Sequence, residues 1–432
     1  MKPLLLFLVL IASCYTFENL TKETIEKFSW PEPNYHGWVP IGKEKGNDMF
    51  YWWFPSRRSR ATDPLILWLT GGPGCSSELA LFVENGPFTI NKKTLEVGLN
   101  RWSWNNEANI VYIDQPLGTG FSNVKPDSYV KDEDTVAKEI YEFLLGFLTK
   151  FPEFKGRDFY IMGESYGGHF VPHAGNYVYN QRNADLPLRG IAIGNGLPNP
   201  WVQYEAYAEY ALMNRIIGFS EYLRLLPAFR QCETMMQYDI DGGREMCDGL
   251  YGSIVSDSVG FDMAGTNSSS QKFNNYDITK PCIGPLCYNF KHIDDFLNSK
   301  AIKADLGVSE GNQWSACDGK VGAMMAKHDW RKNAAPKMAD MMNGGLTVWM
   351  YHGDLDIICN WVGGEMCLNG VDWYGSVEFG KTQFTNAGYG LKREWNNVRF
   401  IKFSNAGHMV PMDQPENAFK MLKEFLGQFK KD

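Results

Sequence analysis

Residues 158–182 read DFYIMGESYGGHFVPHAGNYVYNQR, and this stretch decides the fold. A short apolar run, Asp158–Met162, leads into Gly163-Glu164-Ser165-Tyr166-Gly167-Gly168, and a helix-compatible segment follows. This is G-x-S-x-G in a strand–turn–helix setting, the nucleophile elbow, where a serine sits on a sharp, strained turn at the end of a strand. Glycines two residues to either side answer crowding, since strand and helix approach closely only where no side chain intervenes. The bare pattern arises by chance in chains of this length, so its weight comes from the flanking elements.

Working outward, five more runs rich in aliphatic and β-branched residues occur: LILWL (65–69), NIVYID (109–114), GIAI (190–193), LTVWMY (346–351) and VRFIKF (398–403). They are continuous rather than alternating, as expected of strands buried on both faces of a parallel sheet. Between the second run and Asp158, a stripe of Val136, Ile140, Phe143, Leu144, Phe147, Leu148 and Phe151 predicts an amphipathic helix, with Asp132 and Asp134 at its dipole-favoured start. Strand, helix, strand at this spacing predicts an α/β protein with a doubly wound, mostly parallel sheet. The rhythm stops between 199 and 336, where Tyr- and Met-rich helical stretches, a Gly/Ser/Asn-rich segment and five cysteines occur, and it resumes afterwards. Residues 199–336 are therefore expected to form an inserted helical cap subdomain over the sheet's carboxyl edge, with the core divided into 17–198 and 337–432.

The 432 residues are 44% hydrophobic and carry a formal net charge of -8, which excludes a disordered chain and lacks the basic footprint of a nucleic-acid binder. Residues 1–16, MKPLLLFLVLIASCYT, have the layout of a secretory signal peptide, and no membrane association of the mature chain is expected. Of nine cysteines, eight lie beyond it, so in an oxidising compartment disulfides are expected before metal ligation. No C-x-x-C or H-E-x-x-H pattern is present, and neither metal nor cofactor is expected. Sequons at Asn19 and Asn267 fit a glycosylated, secreted or lysosomal product.

Behind an elbow of this kind the partners follow in the order serine, acid, histidine. His36 precedes Ser165 and is out of order, while His169 and His173 sit on the helix leaving the elbow and are assigned to structure. His408 lies just past the last run, in SNAGHMVP, at a strand's carboxyl end, and is the expected base. The acid is expected after the preceding run, where HGDLD offers Asp354 and Asp356, and spacing alone leaves both open. An oxyanion hole takes one amide from Tyr166, the residue after the nucleophile, and a second from the glycine-rich turn Thr70-Gly71-Gly72-Pro73-Gly74.

Five segments, LILWLTGGPGCSS, SWNNEANIVYIDQPLGTGFS, GESYGGHFVP, GDLDIICNW and AGHMVPMDQP, together resemble the motif set of the serine carboxypeptidases from about Asn34 to Phe425, most weakly across 199–336. The resemblance implies an α/β-hydrolase fold and release of C-terminal residues from peptides with a free C-terminus at acidic pH. By position it implies a Ser165, Asp356, His408 triad, oxyanion amides from Gly72 and Tyr166, and a carboxylate site of Thr70, Gly71, Glu84 and Glu164. Two glutamates can hold a carboxylate only when protonated, so activity is expected to fall with rising pH. The family has Asn where this chain has Thr70, whose shorter reach weakens the expected grip. Tyr166 and Met409 match side-chain pocket positions. Implied disulfides are Cys75–Cys317, Cys232–Cys247 and Cys282–Cys287; Cys359 matches a free thiol, and Cys367, eight residues on, leaves a Cys359–Cys367 bond open. Some relatives transfer acyl groups or cleave small esters, and a non-catalytic stabilising role is the other alternative. A homodimer is allowed by the sequence.

Overall fold

The computed structural model describes residues 28–43, 45–256, 271–284, 286–330 and 332–427. The expected signal segment and the sequons at Asn19 and Asn267 lie outside the described residues. In chain order the strands are β1 (Tyr35–Pro40), β2 (Asp48–Phe54), β3 (Leu65–Leu69), β4 (Phe88–Ile90), β5 (Val97–Leu99), β6 (Asn109–Ile113), β7 (Phe159–Glu164), β8 (Leu188–Gly194), β9 (Thr347–Gly353), β10 (Thr385–Asn386), β11 (Leu391–Trp395) and β12 (Val398–Phe403). Ten form one sheet in the order β1-β2-β6-β3-β7-β8-β9-β12-β11-β10, with β4 and β5 as a separate hairpin.

The six central strands, β6 to β12 in that order, run parallel, and antiparallel pairs close both edges. Every residue of β3, β6, β7 and β9 is buried, which is why these strands read as unbroken apolar runs. One face of the sheet packs under the helices Glu133–Lys150, Gly167–Gln181 and Ala335–Asn343. In the first of these, Val136, Ile140, Phe143, Leu144, Phe147 and Leu148 are buried, and the Asp132 carboxylate caps the start by accepting from the Thr135 N–H at 2.9 Å. Phe151, expected on that stripe, is the residue that ends the helix.

The stretch 199–336 divides in space. The helices Ala206–Met213, Phe219–Met236 and Ile240–Val255 gather a core of their own with Ile357 and Ile358, just past the carboxyl end of β9. Ile293, Phe296, Leu297, Ile302 and Leu306 instead pack into the core on the sheet's second face, beside Trp52 and Phe82. Position 336 falls inside the helix Ala335–Asn343, whose Met338, Met341 and Met342 are buried against the first face.

The glycine-rich turn after β3 is anchored from several sides. Cys75 is bonded to Cys317, the Ser76 N–H donates to Ala316 O at 2.9 Å, and the Asp318 N–H donates to Gly74 O at 2.8 Å. Beneath it lie two wholly buried carboxyls, Glu78 and Asp114. The Ser76 hydroxyl donates to Glu78, and Asp114 accepts from the N–H groups of Ser77 (3.3 Å) and Phe121 (2.8 Å). Burial first, and then their mutual repulsion, raises Glu78 well above the ordinary carboxylate range; burial likewise raises Asp114. A carboxyl raised in the folded state stabilises the fold at low pH and withdraws that contribution as pH climbs past its unfolded value. Glu78→Gln keeps an acceptor for Ser76 and a donor for Asp114 without the charge. The melting temperature of the variant relative to wild type should therefore rise by a few degrees between mildly acidic and mildly alkaline buffer. A difference that stays flat with pH would exclude this coupling.

Candidate active site

Ser165 stands at the carboxyl end of β7 with φ 63°, the left-handed region that a side chain adopts at a cost, and its N–H donates to Gly194 O at 3.0 Å. The helix Gly167–Gln181 begins two residues later. Gly163 is needed here because a Cβ at that position would overlap Leu69 O and lie 2.9 Å from Val171 Cγ2.

His408 is 4% exposed and lies in the loop after β12, its N–H donating to Tyr276 O at 2.7 Å. Its Nδ1 is 2.8 Å from Asp356 Oδ2. Asp356 is wholly buried and also accepts from Asn195 Nδ2 (2.8 Å) and the Ile358 N–H (3.0 Å). Asp354, the alternative acid, turns away and accepts from the Asn405 N–H at 2.8 Å. An imidazole with Nδ1–H directed at a carboxylate leaves Nε2 free to take a proton. His408 and Ser165 open onto one cavity of about 760 Å³, lined also by Thr70, Gly71, Gly72, Glu84, Glu164, Tyr166 and Met409. The sequence-derived positions thus converge from the ends of β3, β7, β9 and β12.

Gly71 brings the β3 turn against the elbow: a Cβ there would overlap the Tyr166 nitrogen and lie 2.6 Å from Glu164 O and 2.9 Å from Ser165 Cβ. No acceptor for the N–H of Gly72 or Tyr166 occurs among the described residues. The Tyr166 ring is buried, stacked on His169 (centroids 4.5 Å apart) and on Trp330 (5.1 Å). His169 is held by Lys332 O at 2.9 Å, and burial pushes it down to about 3, so it is neutral. His173 bonds His169 O at 2.8 Å, in keeping with a structural place.

Glu84 and Glu164 are 6% and 4% exposed, and each has a buried Oε2 with no protein partner among the described residues. Burial pushes Glu84 up to about 7, and burial with the neighbouring Glu84 charge raises Glu164 well above the usual range. Glu84 therefore keeps its proton up to near neutrality, and Glu164 is held protonated beside it. Thr70 has its Oγ1 accepting from Trp68 Nε1 at 2.9 Å, which leaves the hydroxyl hydrogen available to donate.

Cys232 is bonded to Cys247 and Cys282 to Cys287. Cys359 and Cys367 are both buried free thiols, and Cys359 lines the cavity. Asn195 and Tyr276 were not among the expected site residues. The signal for Asn195 is an Asn-Gly pair directly past β8, at the edge where the other site residues gather, and its φ is 38°. Tyr276 carries no sequence signal. Among the described residues no cluster of metal-ligating side chains occurs, and no helix is long and apolar enough to cross a membrane.

This sheet, with a strained serine turn at the end of a central strand, defines an α/β hydrolase. The serine carboxypeptidase profile matches residues 26–428. Serine carboxypeptidase-like 47 of Arabidopsis thaliana is 37% identical over 91% of this chain and 78% of its own, and serine carboxypeptidase S10 family member 1 of Dictyostelium discoideum is 33% identical over 92% and 95%. The crystal structure of Kex1(delta)p, a prohormone-processing carboxypeptidase from Saccharomyces cerevisiae, superposes with a TM-score of 0.78 at 23% identity, covering 91% of each chain. The chain belongs to the serine carboxypeptidase family.

Proposed function

We propose that the protein releases C-terminal amino acids from peptides at acidic pH through a Ser165–His408–Asp356 triad and an acyl-enzyme. The observation that carries this reading is the convergence, in one cavity, of a serine on a strained turn, an imidazole held by a buried carboxylate, and two buried carboxyls that keep a proton. His408 Nε2 takes the hydroxyl proton as Ser165 Oγ attacks the scissile carbonyl, and Asp356 steadies the imidazolium. The N–H groups of Gly72 and Tyr166 receive the oxyanion. The proton then passes to the leaving amine, and water reverses the sequence to free the acyl group. The substrate's carboxylate accepts from the protonated Glu84–Glu164 pair, the Gly71 N–H and the Thr70 hydroxyl. Disulfides fit the secretory pathway, with lysosomal or extracellular delivery as the proposed destination.

The carboxyl pair sets the sign of the pH dependence. Glu84 keeps its proton below about 7 and loses it above, which removes a donor and adds a charge beside a free carboxylate, so grip weakens on the alkaline side. For a blocked dipeptide acid, kcat/KM should fall as pH rises through about 7, while the matching C-terminal amide should be a poor substrate that lacks this limb. A serine-directed phosphonate should stop turnover. Equal cleavage of acid and amide at low pH would refute carboxylate recognition.

A further inference from the structure

The cavity that holds Ser165 has two chemically different parts. Beside Glu84 its wall is apolar and aromatic, made by Leu79, Leu286, Tyr288 and Phe290, with the last two rings stacked 5.5 Å apart. In another part of the lining Trp330 lies on the Tyr166 ring, and Arg244, from the helix Ile240–Val255, comes in near Tyr204. Arg244 is partly buried, its Nε is buried without a hydrogen-bond partner, and its guanidinium makes no ion pair among the described residues.

Two carboxylates nearby hold other groups. Asp248, on the same helix, accepts from the Tyr204 hydroxyl at 2.8 Å. Asp318 is committed to capping the helix Gly319–His328, accepting from the N–H groups of Lys320 (2.9 Å) and Val321 (2.8 Å). Asp241 lines the cavity as an exposed side chain, and Lys327, three residues before Trp330, adds a second cation to the lining.

We propose that Arg244 selects an acidic side chain on the amino side of the scissile bond, so that the substrates are peptides ending in Glu or Asp followed by an apolar residue. The proposal rests on the carboxypeptidase reading, which fixes the direction of the substrate. The free carboxylate is gripped at Glu84 and Glu164, so the residue to be released occupies the apolar part. The acyl portion must then cross Ser165 and pass the Tyr166 ring toward Trp330 and Arg244. A guanidinium held partly out of water without a partner is costly, and a carboxylate supplies a planar, two-point acceptor that a neutral side chain does not.

The test uses N-blocked Glu-Leu, Gln-Leu and Lys-Leu with free C-termini, assayed above about 4.3, where the substrate glutamate is ionised. Wild type should favour Glu over Gln by about tenfold in kcat/KM, the size of one charge-assisted hydrogen bond, and favour it over Lys by more. Arg244→Met should bring the Glu/Gln ratio toward one, Arg244→Lys should keep part of it, and Arg244→Glu should invert the Glu/Lys order. Phosphonate titration of active serines normalises each variant. The proposal is overturned if wild type cleaves all three equally or prefers Lys, a measurement that needs no variant, or if Arg244→Met leaves the ratio unmoved. Failure of wild type to cleave any of the three would instead sink the carboxypeptidase reading beneath it.

Discussion

Asp356→Asn is expected to lower kcat by about 10⁴-fold while leaving the fold intact. The carboxylate accepts from three donors at once: His408 Nδ1, Asn195 Nδ2 and the Ile358 N–H. An amide has one acceptor oxygen, and its NH₂ would face either His408 and Asn195 together, which both bond Oδ2, or the Ile358 N–H, which bonds Oδ1. Facing His408, it forces the imidazole to present Nδ1 as acceptor and Nε2 as donor, the tautomer that cannot take a proton from Ser165. KM should move little, because Asp356 is wholly buried behind His408 and is not part of the cavity lining. The matched control is Asp354→Asn, two residues away and bonded to the Asn405 N–H, which should leave kcat close to wild type. Steady-state kinetics with circular dichroism on both variants checks the pair, and equal losses at the two positions would count against the proposed triad.

The second large effect is expected from Gly71→Ala. A Cβ at this position would collide with the Tyr166 nitrogen, Glu164 O and Ser165 Cβ, of which two are backbone atoms of the elbow and cannot swing aside. The β3 turn must retreat, taking the Gly72 N–H with it, although Cys75–Cys317 and the Ser76–Ala316 bond hold the rest of the turn in place. Losing one oxyanion donor costs about 10²–10³ in kcat, and KM should rise as well because Gly71 borders the carboxylate site. Phosphonate affinity should fall together with kcat/KM. Gly218→Ala, where a Cβ meets nothing within 4 Å, should be silent in the same assays.

Legibility along the chain followed the physics of burial. Strands β3 and β12 lie where their apolar runs lie, Leu65–Leu69 and Val398–Phe403, because a strand between two neighbours and under helices admits few polar residues. The edge strand β1, YHGWVP, holds a glycine and a proline and is mostly half-buried, so no run announces it. Its neighbour β2, DMFYWWF, is apolar and aromatic, yet its antiparallel pairing with β1 and β6 depends on partners distant in sequence. The helices at Lys291–Leu297 and Lys300–Leu306 show the same limit. Periodicity can reveal an apolar stripe, but not that it packs beside Trp52 and Phe82 rather than over the carboxyl edge.

The sequence by itself determined the proposed nucleophile, the proposed base and the sheet that presents them. A strained serine turn needs glycine at Gly163 because of a neighbouring strand, and chain order leaves His408 past the last run; both are local constraints written in residue type and position. Spacing left Asp354 and Asp356 open and only the resemblance pointed to Asp356; the contact itself is tertiary, with Asp356 Oδ2 2.8 Å from His408 Nδ1 and Asp354 turned to the Asn405 N–H. Tertiary structure also decided that Trp68 occupies the Thr70 oxygen and leaves its hydrogen to donate, that Glu84 and Glu164 are buried enough for both to be raised, and that Arg244 faces the cavity. Each of these depends on distance and desolvation between residues far apart along the chain, quantities that composition and spacing do not carry.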